Sequence, residues 1–186
     1  MSEKNCVNPC LFTKQVSTLS AHLIFWPLVI IGIAADLISK SMMFNWLSSR
    51  PSKTFSIIDG LFQLVMVENR GAAWGIASDK TVTLVTVSTI AMIIVLGVFL
   101  FSGKHQLTVV IALGLFAAGI VGNLYDRVFN HGRVRDFLDF YHGNWHFPAF
   151  NVADSMLSIA VALLILTTLF SPNQENPNDK SSVKSA

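Results

Sequence analysis

Residues 119–154 read GIVGNLYDRVFNHGRVRDFLDFYHGNWHFPAFNVAD, a polar, aromatic-rich stretch set between two uncharged apolar runs. Three clusters stand out within it: GNLYDR from Gly122, VRDFLDF from Val134 and FNVADS from Phe150. Asp136 and Asp154 lie at the edges of the flanking apolar runs. Ionisable groups at the rim of a membrane span are costly, so they need a partner or a task. Asn151 is a good helix N-cap, and an acid three residues on meets the free backbone N–H groups of a first turn. The helix dipole there favours an ionised Asp154. Eighteen residues separate the aspartates, enough chain for the intervening loop to bring Asp136 back to Asp154. Two carboxylates sharing a site do not both ionise easily. One charged and one protonated acid is the equipment of an aspartic protease: a base for water and an acid for the peptide carbonyl.

The surrounding chain fits a membrane setting. Only 13% of its 186 residues are charged and 52% are apolar, against about 25% charged in a soluble domain. Mean hydropathy is +0.55. A formal charge of +2 is too small to indicate nucleic acid. Residues 1–21 read as a short polar tail, whose Cys6 and Cys10 are a weak metal signal and no disulfide framework. Residues 23–35 have the length of a signal-peptide core, but the apolar pattern continues past Asp36 and Lys40 to Trp46, long enough to span a bilayer. Asp36 and Lys40 are four apart and share a helix face, either as an interfacial pair with Lys40 snorkelling or as groups that orient a site.

Residues 55–58 and 62–67 read as strands around Asp59-Gly60, a hairpin signal, with a four-residue spacer of Ile58, Asp59, Gly60 and Leu61 as the equal alternative. ENRGAAWGI follows from Glu68; Asn69 wants several partners if buried, and Gly71 and its small neighbours permit close backbone approach. Residues 81–101, 107–125 and 152–170 are predicted spans, and 172–186 a disordered tail. The expected fold is therefore an all-α bundle of four transmembrane helices (residues 22–171) with a small β-cradle near 50–76 and both termini on one side. Asp136 is expected in a loop, as a partner of Arg133 or Arg135 if it has no catalytic task. Asp126 and Arg127 are expected to pair locally. Asp136, Asp139, His142, His146 and Asp154 offer zinc-type donors, but Gly143-Asn144 is a turn that breaks the histidine spacing. The aromatics near them, including Phe137, Phe140, Trp145 and Phe147, read as an interfacial belt.

DLISK at Asp36, ENRGAAWG at Glu68, GNLYDR, VRDF and FNVAD together resemble the bacterial lipoprotein signal peptidases (signal peptidase II) in order and spacing from Asp36 to Asp154. The resemblance implies an intramembrane aspartic endopeptidase of the bacterial inner membrane, without cofactor or metal. Its substrates are prolipoproteins carrying a diacylglyceryl-cysteine, cut just before that cysteine. The catalytic aspartates fall on Asp136 and Asp154, and the supporting positions on Asp36, Lys40, Asn69, Gly71, Asn123, Arg127 and Asn151. Partners are the substrate and membrane lipids, not nucleic acid, and the protein is expected as a monomer. Arg135 stands where the resemblance leads one to expect an apolar residue, and is expected to lower the pKa of Asp136.

Orientation is contested within the sequence. Five basic residues fall on the side of the termini and the other eight of 13 on the opposite side, which places the termini outside by the positive-inside rule. The resemblance implies cytoplasmic termini. A transporter or proton channel is the main rival, but the charges cluster at one face rather than at the midplane. A non-enzymatic scaffold leaves Asp136 without a role.

Overall fold

The computed structural model describes residues 14–71 and 80–170. Cys6, Cys10, Ala72, Ala73, Gly75 and the tail 172–186 lie outside the described residues. Among the described residues, four helices are long and apolar enough to cross a membrane: α1 Thr18–Ser48, α2 Thr81–Phe101, α3 Leu107–Phe129 and α4 Val152–Phe170. At about 1.5 Å per residue, even the 19-residue α4 reaches about 28 Å, close to the hydrocarbon thickness of about 30 Å. Backbone N–H groups inside such a span bond within their own helix and not to lipid, Pro27 of α1 having none to offer.

The bundle is organised on α3, which packs against α1, α2 and α4. Its buried face carries Ala117, Ala118, Gly119 and Gly122, small residues that bring neighbouring backbones close. A Cβ placed on Gly122 would run into the Asp36 carboxylate of α1 and meet Ala153 of α4. Gly122→Ala is therefore expected to cost about 1–3 kcal/mol by overpacking, read as a lower unfolding midpoint in detergent. An unchanged midpoint would mean that α1 and α3 are not held this closely. The lower core stacks Phe25 on Phe99 with ring centroids 3.8 Å apart.

Helix α1 begins at Thr18, earlier than residue 22, because Ser17 caps it: the Ser17 hydroxyl accepts the Ser20 N–H at 3.2 Å. Gln15–Val16 (β1) pairs antiparallel with His105–Gln106 (β4), so the last tail residues are tied to the α2–α3 turn. Helix α3 runs past Tyr125 to Phe129, which puts Asp126 and Arg127 inside the helix rather than in the following segment. The chain turns back through His131 and Gly132, both at positive φ (50° and 81°); glycine adopts that region without a Cβ penalty.

The sheet is larger than expected. Thr54–Ile58 (β2) and Phe62–Asn69 (β3) form the hairpin, with Asp59, Gly60 and Leu61 as its loop and Gly60 at φ 77°. Val134–His142 (β5) then pairs antiparallel with β3, and Trp145–His146 (β6) closes the order β2-β3-β5-β6. VRDFLDF is thus a strand, not a loop. Its alternation was obscured because Val134, Asp136, Phe137 and Asp139 are all buried, and a strand buried on both faces loses its period of two. Phe137 belongs to this core and not to an aromatic belt, whereas Phe140, Trp145 and Phe147 stay exposed.

Candidate active site

Two local devices bring Asp136 and Asp154 together. The first is the register of β5: Asp136 pairs with Val67 of β3, and Asn69 pairs with Val134 two residues away. The second is Phe150, whose carbonyl accepts the N–H groups of Phe137 (3.0 Å) and Leu138 (2.9 Å) and whose own N–H donates to Leu138. Phe150 therefore ties the start of α4 to the strand that carries Asp136. Asn151 and Asp154 then form a reciprocal capping box: the Asp154 N–H donates to Asn151 Oδ1 at 3.0 Å, and the Asn151 N–H donates to Asp154 Oδ2 at 3.2 Å.

Each aspartate is held by side-chain amides. Asn151 Nδ2 donates to Asp136 Oδ1 at 2.6 Å, and Asn69 Nδ2 donates to Asp136 Oδ2 at 3.0 Å. Asn123 Nδ2 donates to Asp154 Oδ1 at 2.7 Å. Asn69 is itself fixed because its Oδ1 accepts the Gly71 N–H at 2.9 Å. Asn123 is fixed because its Oδ1 accepts from Lys40 Nζ at 3.0 Å and from Asn151 Nδ2 at 3.1 Å. Lysine only donates, so the Asn123 oxygen must face Lys40 and its NH₂ must face Asp154. Arg127 donates to the Gly71 carbonyl at 3.3 Å.

Behind this layer sits a buried charge chain, Asp36–Lys40–Asp126–Arg135. Lys40 Nζ lies 2.7 Å from Asp36 Oδ2 and 3.3 Å from Asp126 Oδ2, with all three side chains fully buried. Lys40 does not snorkel, because its charge is already met inside the protein. Asp36 Oδ1 accepts the Ala153 N–H at 2.9 Å, so α1 caps α4 as well. Asp126 does not pair with Arg127; adjacent helix residues point about 100° apart, since a turn holds about 3.6 residues. It meets Lys40 on one side and Arg135 Nη2 at 2.7 Å on the other.

Asp136 has neither of the salt bridges expected for it. Arg133 pairs with Glu68 at 2.6 Å and Arg135 with Asp126. Arg135 does not depress the acidity constant of Asp136, which is instead raised from 3.8 to about 7. Burial is the main cause and the Asp154 charge the second, only partly offset by the amide bonds from Asn69 and Asn151. Among the proposed zinc donors, Asp139 and His146 pair with each other (Oδ2 to Nδ1, 2.7 Å).

Both aspartates line one cavity of about 700 Å3 with Asn69, Gly71, Asn123 and Arg127, and its other wall is apolar side chain from α2 and α4. All the expected site residues thus converge, Asp36, Lys40 and Asn151 from the layer behind. Sequence reasoning missed Asp126 and Arg135 as members of that layer. For Asp126 the available signal was helical spacing: it lies four residues after Gly122, on the α3 face that meets Asp36 of α1, whereas Arg135 carried no such local signal.

A family model described as signal peptidase (SPase) II matches residues 28–170. The chain is 46% identical over 144 residues to a lipoprotein signal peptidase of Sulfurihydrogenibium sp. (strain YO3AOP1), covering 74% of this chain and 86% of that protein. It is 36% identical over 160 residues to a lipoprotein signal peptidase of Francisella tularensis subsp. novicida (strain U112), covering 83% and 97%. A solved structure described as a bacterial membrane enzyme, obtained by the in meso method at 2.3 Å resolution, superposes with a TM-score of 0.73 at 28% identity, over 89% of this chain and 96% of that one.

Proposed function

Because the chain belongs to the signal peptidase II family, a family of multi-pass membrane proteases that remove signal peptides from prolipoproteins, we propose that it does so as an aspartic endopeptidase through Asp136 and Asp154. The observation that carries this reading is the pair itself: a buried carboxylate, Asp136, and a half-buried one, Asp154, on one cavity, each held by side-chain amides, with the acidity constant of Asp136 raised to about 7. Asp154 sits at the N-terminus of α4, where the dipole favours its ionised form, so Asp136 holds the shared proton. Asp154 takes a proton from water as the oxygen attacks the scissile carbonyl, and Asp136 gives its proton to the carbonyl oxygen. On collapse the carbonyl re-forms and returns a proton to Asp136. The C–N bond breaks, and Asp154 passes its proton to the leaving nitrogen. The dyad ends as it began.

The bond cut is the one before a diacylglyceryl-modified cysteine. The apolar wall of the cavity suits acyl chains, and each buried CH2 contributes about 0.8 kcal/mol to anchoring. Anchoring confines the scissile bond to the depth of the dyad. Purified protein is expected to cut a diacylglyceryl prolipoprotein at least about tenfold faster than its Cys→Ser counterpart at equal membrane concentration, read by gel shift. Equal rates would remove the lipid from the mechanism.

The setting is the bacterial inner membrane, with both termini cytoplasmic and the dyad at the outer leaflet. Reporter fusions in the 103–106 turn and after Ser171 are expected to report the cytoplasm, and fusions near Arg50 and Asn144 the opposite side. Inverted reporters would mean that the bare charge count had been the better guide.

A further inference from the structure

Three serines interrupt the apolar wall of the cavity that holds the aspartates: Ser88 of α2, and Ser155 and Ser158 of α4. A hydroxyl inside a span commonly donates to the carbonyl four residues before it, because lipid offers no acceptor. Thr86 and Thr89 of α2 do so at 2.8 Å, to Val82 and Val85. Ser155, Thr167 and Thr168 of α4 do so at 3.0, 2.8 and 3.0 Å. Ser88 and Ser158 do not, and among the described residues neither hydroxyl has a hydrogen-bond partner. Ser88 is half-buried and Ser158 exposed, so both are reachable from the cavity they line.

The two hydroxyls sit at a similar depth on facing walls. Both helices start on the side of the sheet, α2 at Thr81 and α4 at Val152. At about 1.5 Å per residue, Ser88 and Ser158 lie about 10 and 9 Å inside those starts. Ser158 follows Asp154 by about one helical turn on the same face. The pair is therefore deeper in the membrane than the carboxylates.

We infer that Ser88 and Ser158 read the ester linkages of the lipidated substrate, each hydroxyl donating to one ester carbonyl of the glyceryl group. The inference rests on the peptidase reading above. A hydroxyl in an apolar wall needs an acceptor. A signal segment that is helical in the membrane uses its carbonyls within its own helix. The two glyceryl esters carry carbonyls that accept and have no donor of their own. They hang from the cysteine sulfur by the glyceryl carbons, so a scissile bond at the dyad places them below the carboxylates, towards the acyl chains. Ser88 and Ser158 thus touch substrate and set specificity without a part in the proton transfers.

The test compares two prolipoproteins that differ in linkage alone: a diacylglyceryl (diester) cysteine, and a dialkylglyceryl (diether) cysteine of the same chain length. Both are presented in vesicles of ether-linked phosphatidylglycerol, so that the substrate is the one source of esters. Wild-type protein is expected to favour the diester at least about fivefold in kcat/KM. Ser88→Ala and Ser158→Ala are each expected to reduce that preference about threefold, the size of one net hydrogen bond, through the KM of the diester. The double variant is expected to abolish it, while cutting of the diether stays within about twofold of wild type. Ser155→Ala, whose hydroxyl bonds its own helix, is expected to keep the preference. Equal cutting of both substrates by the wild type would overturn the assignment and leave the peptidase reading standing. So would a double variant that keeps the preference, or variants that slow both substrates in proportion, since a purely structural role leaves the ratio unchanged. Failure of the wild type to cut either substrate would remove the peptidase reading, and this site with it.

Discussion

Asp136→Asn and Asp154→Asn are each expected to lower turnover by about 10³-fold or more while the protein still inserts and folds. General acid–base catalysis contributes about 10²–10⁴-fold, and here each carboxylate has a different proton task, so neither replaces the other. The amide matches the acid in shape but not in hydrogen bonding. Both Asp136 oxygens accept an N–H, from Asn151 and from Asn69. An asparagine there must turn its own NH₂ towards one of those donors. Asp154 faces the same conflict between Asn123 and the Asn151 backbone. Single-turnover cleavage by variants with near wild-type unfolding midpoints is the measurement, and robust turnover by either would sink the dyad. The pH dependence carries a sign. Asp136 binds its proton more tightly folded than unfolded, with a folded value of about 7 against 3.8. Its contribution to stability is therefore fully present below about 4 and is lost as pH rises through about 7. Activity that needs this proton falls over the same upper limb, with apparent values that belong to the pair.

Lys40→Met is expected to be the most damaging substitution outside the aspartate pair, costing about 3–5 kcal/mol. Removing one partner from a buried ion pair strands the other charge, and such losses are about that size. Lys40 serves two carboxylates, Asp36 and Asp126, with every side chain fully buried. Asp36 would keep only the Ala153 N–H. The effect reaches the chemistry as well. Without Lys40, Asn123 loses one of the two donors that fix its amide orientation and keeps only Asn151 Nδ2, so its bond to Asp154 is held less firmly. A fall in kcat is thus expected in whatever fraction folds, with KM less affected. Arg133→Ala is the control: its bridge to Glu68 is more than one-third exposed on both sides, and such pairs contribute about 1 kcal/mol or less. A Lys40→Met protein as stable and active as that control would show the buried chain to be incidental.

The charge chain also bears on the conflict over orientation, since it draws Lys40 and Arg135 of the far-side basic residues into the fold. The positive-inside rule weighs basic residues in loops near the ends of spans. Lys40, Arg127 and Arg135 were counted among the eight on the far side, yet Lys40 and Arg135 are consumed in ion pairs with Asp36 and Asp126, and Arg127 lines the cavity of the aspartates. Groups neutralised inside the fold are a poor measure of which loops were retained in the cytoplasm.

What the sequence determined by itself was whatever depends on solvent or on near neighbours. Residues 81–101 had to span because lipid satisfies no backbone group outside a helix, and a charge-free run of that length has no other stable place. The Asn151–Asp154 box and the Asp36–Lys40 pair were legible because three- and four-residue spacings fix who meets whom on a helix. Tertiary structure alone decided the rest. It made VRDFLDF a strand by laying it on β3, where burial on both faces had erased the alternation that marks one. It gave Asp126 to Lys40 rather than to Arg127, and Arg135 to Asp126 rather than to Asp136. Those choices join residues from α1, α3 and β5 that are far apart in sequence, as Lys40 and Asp126 are. Local spacing carries no information about such contacts. They follow from packing α1 against α3 at Gly122, closely enough that each buried charge finds its partner there and nowhere else.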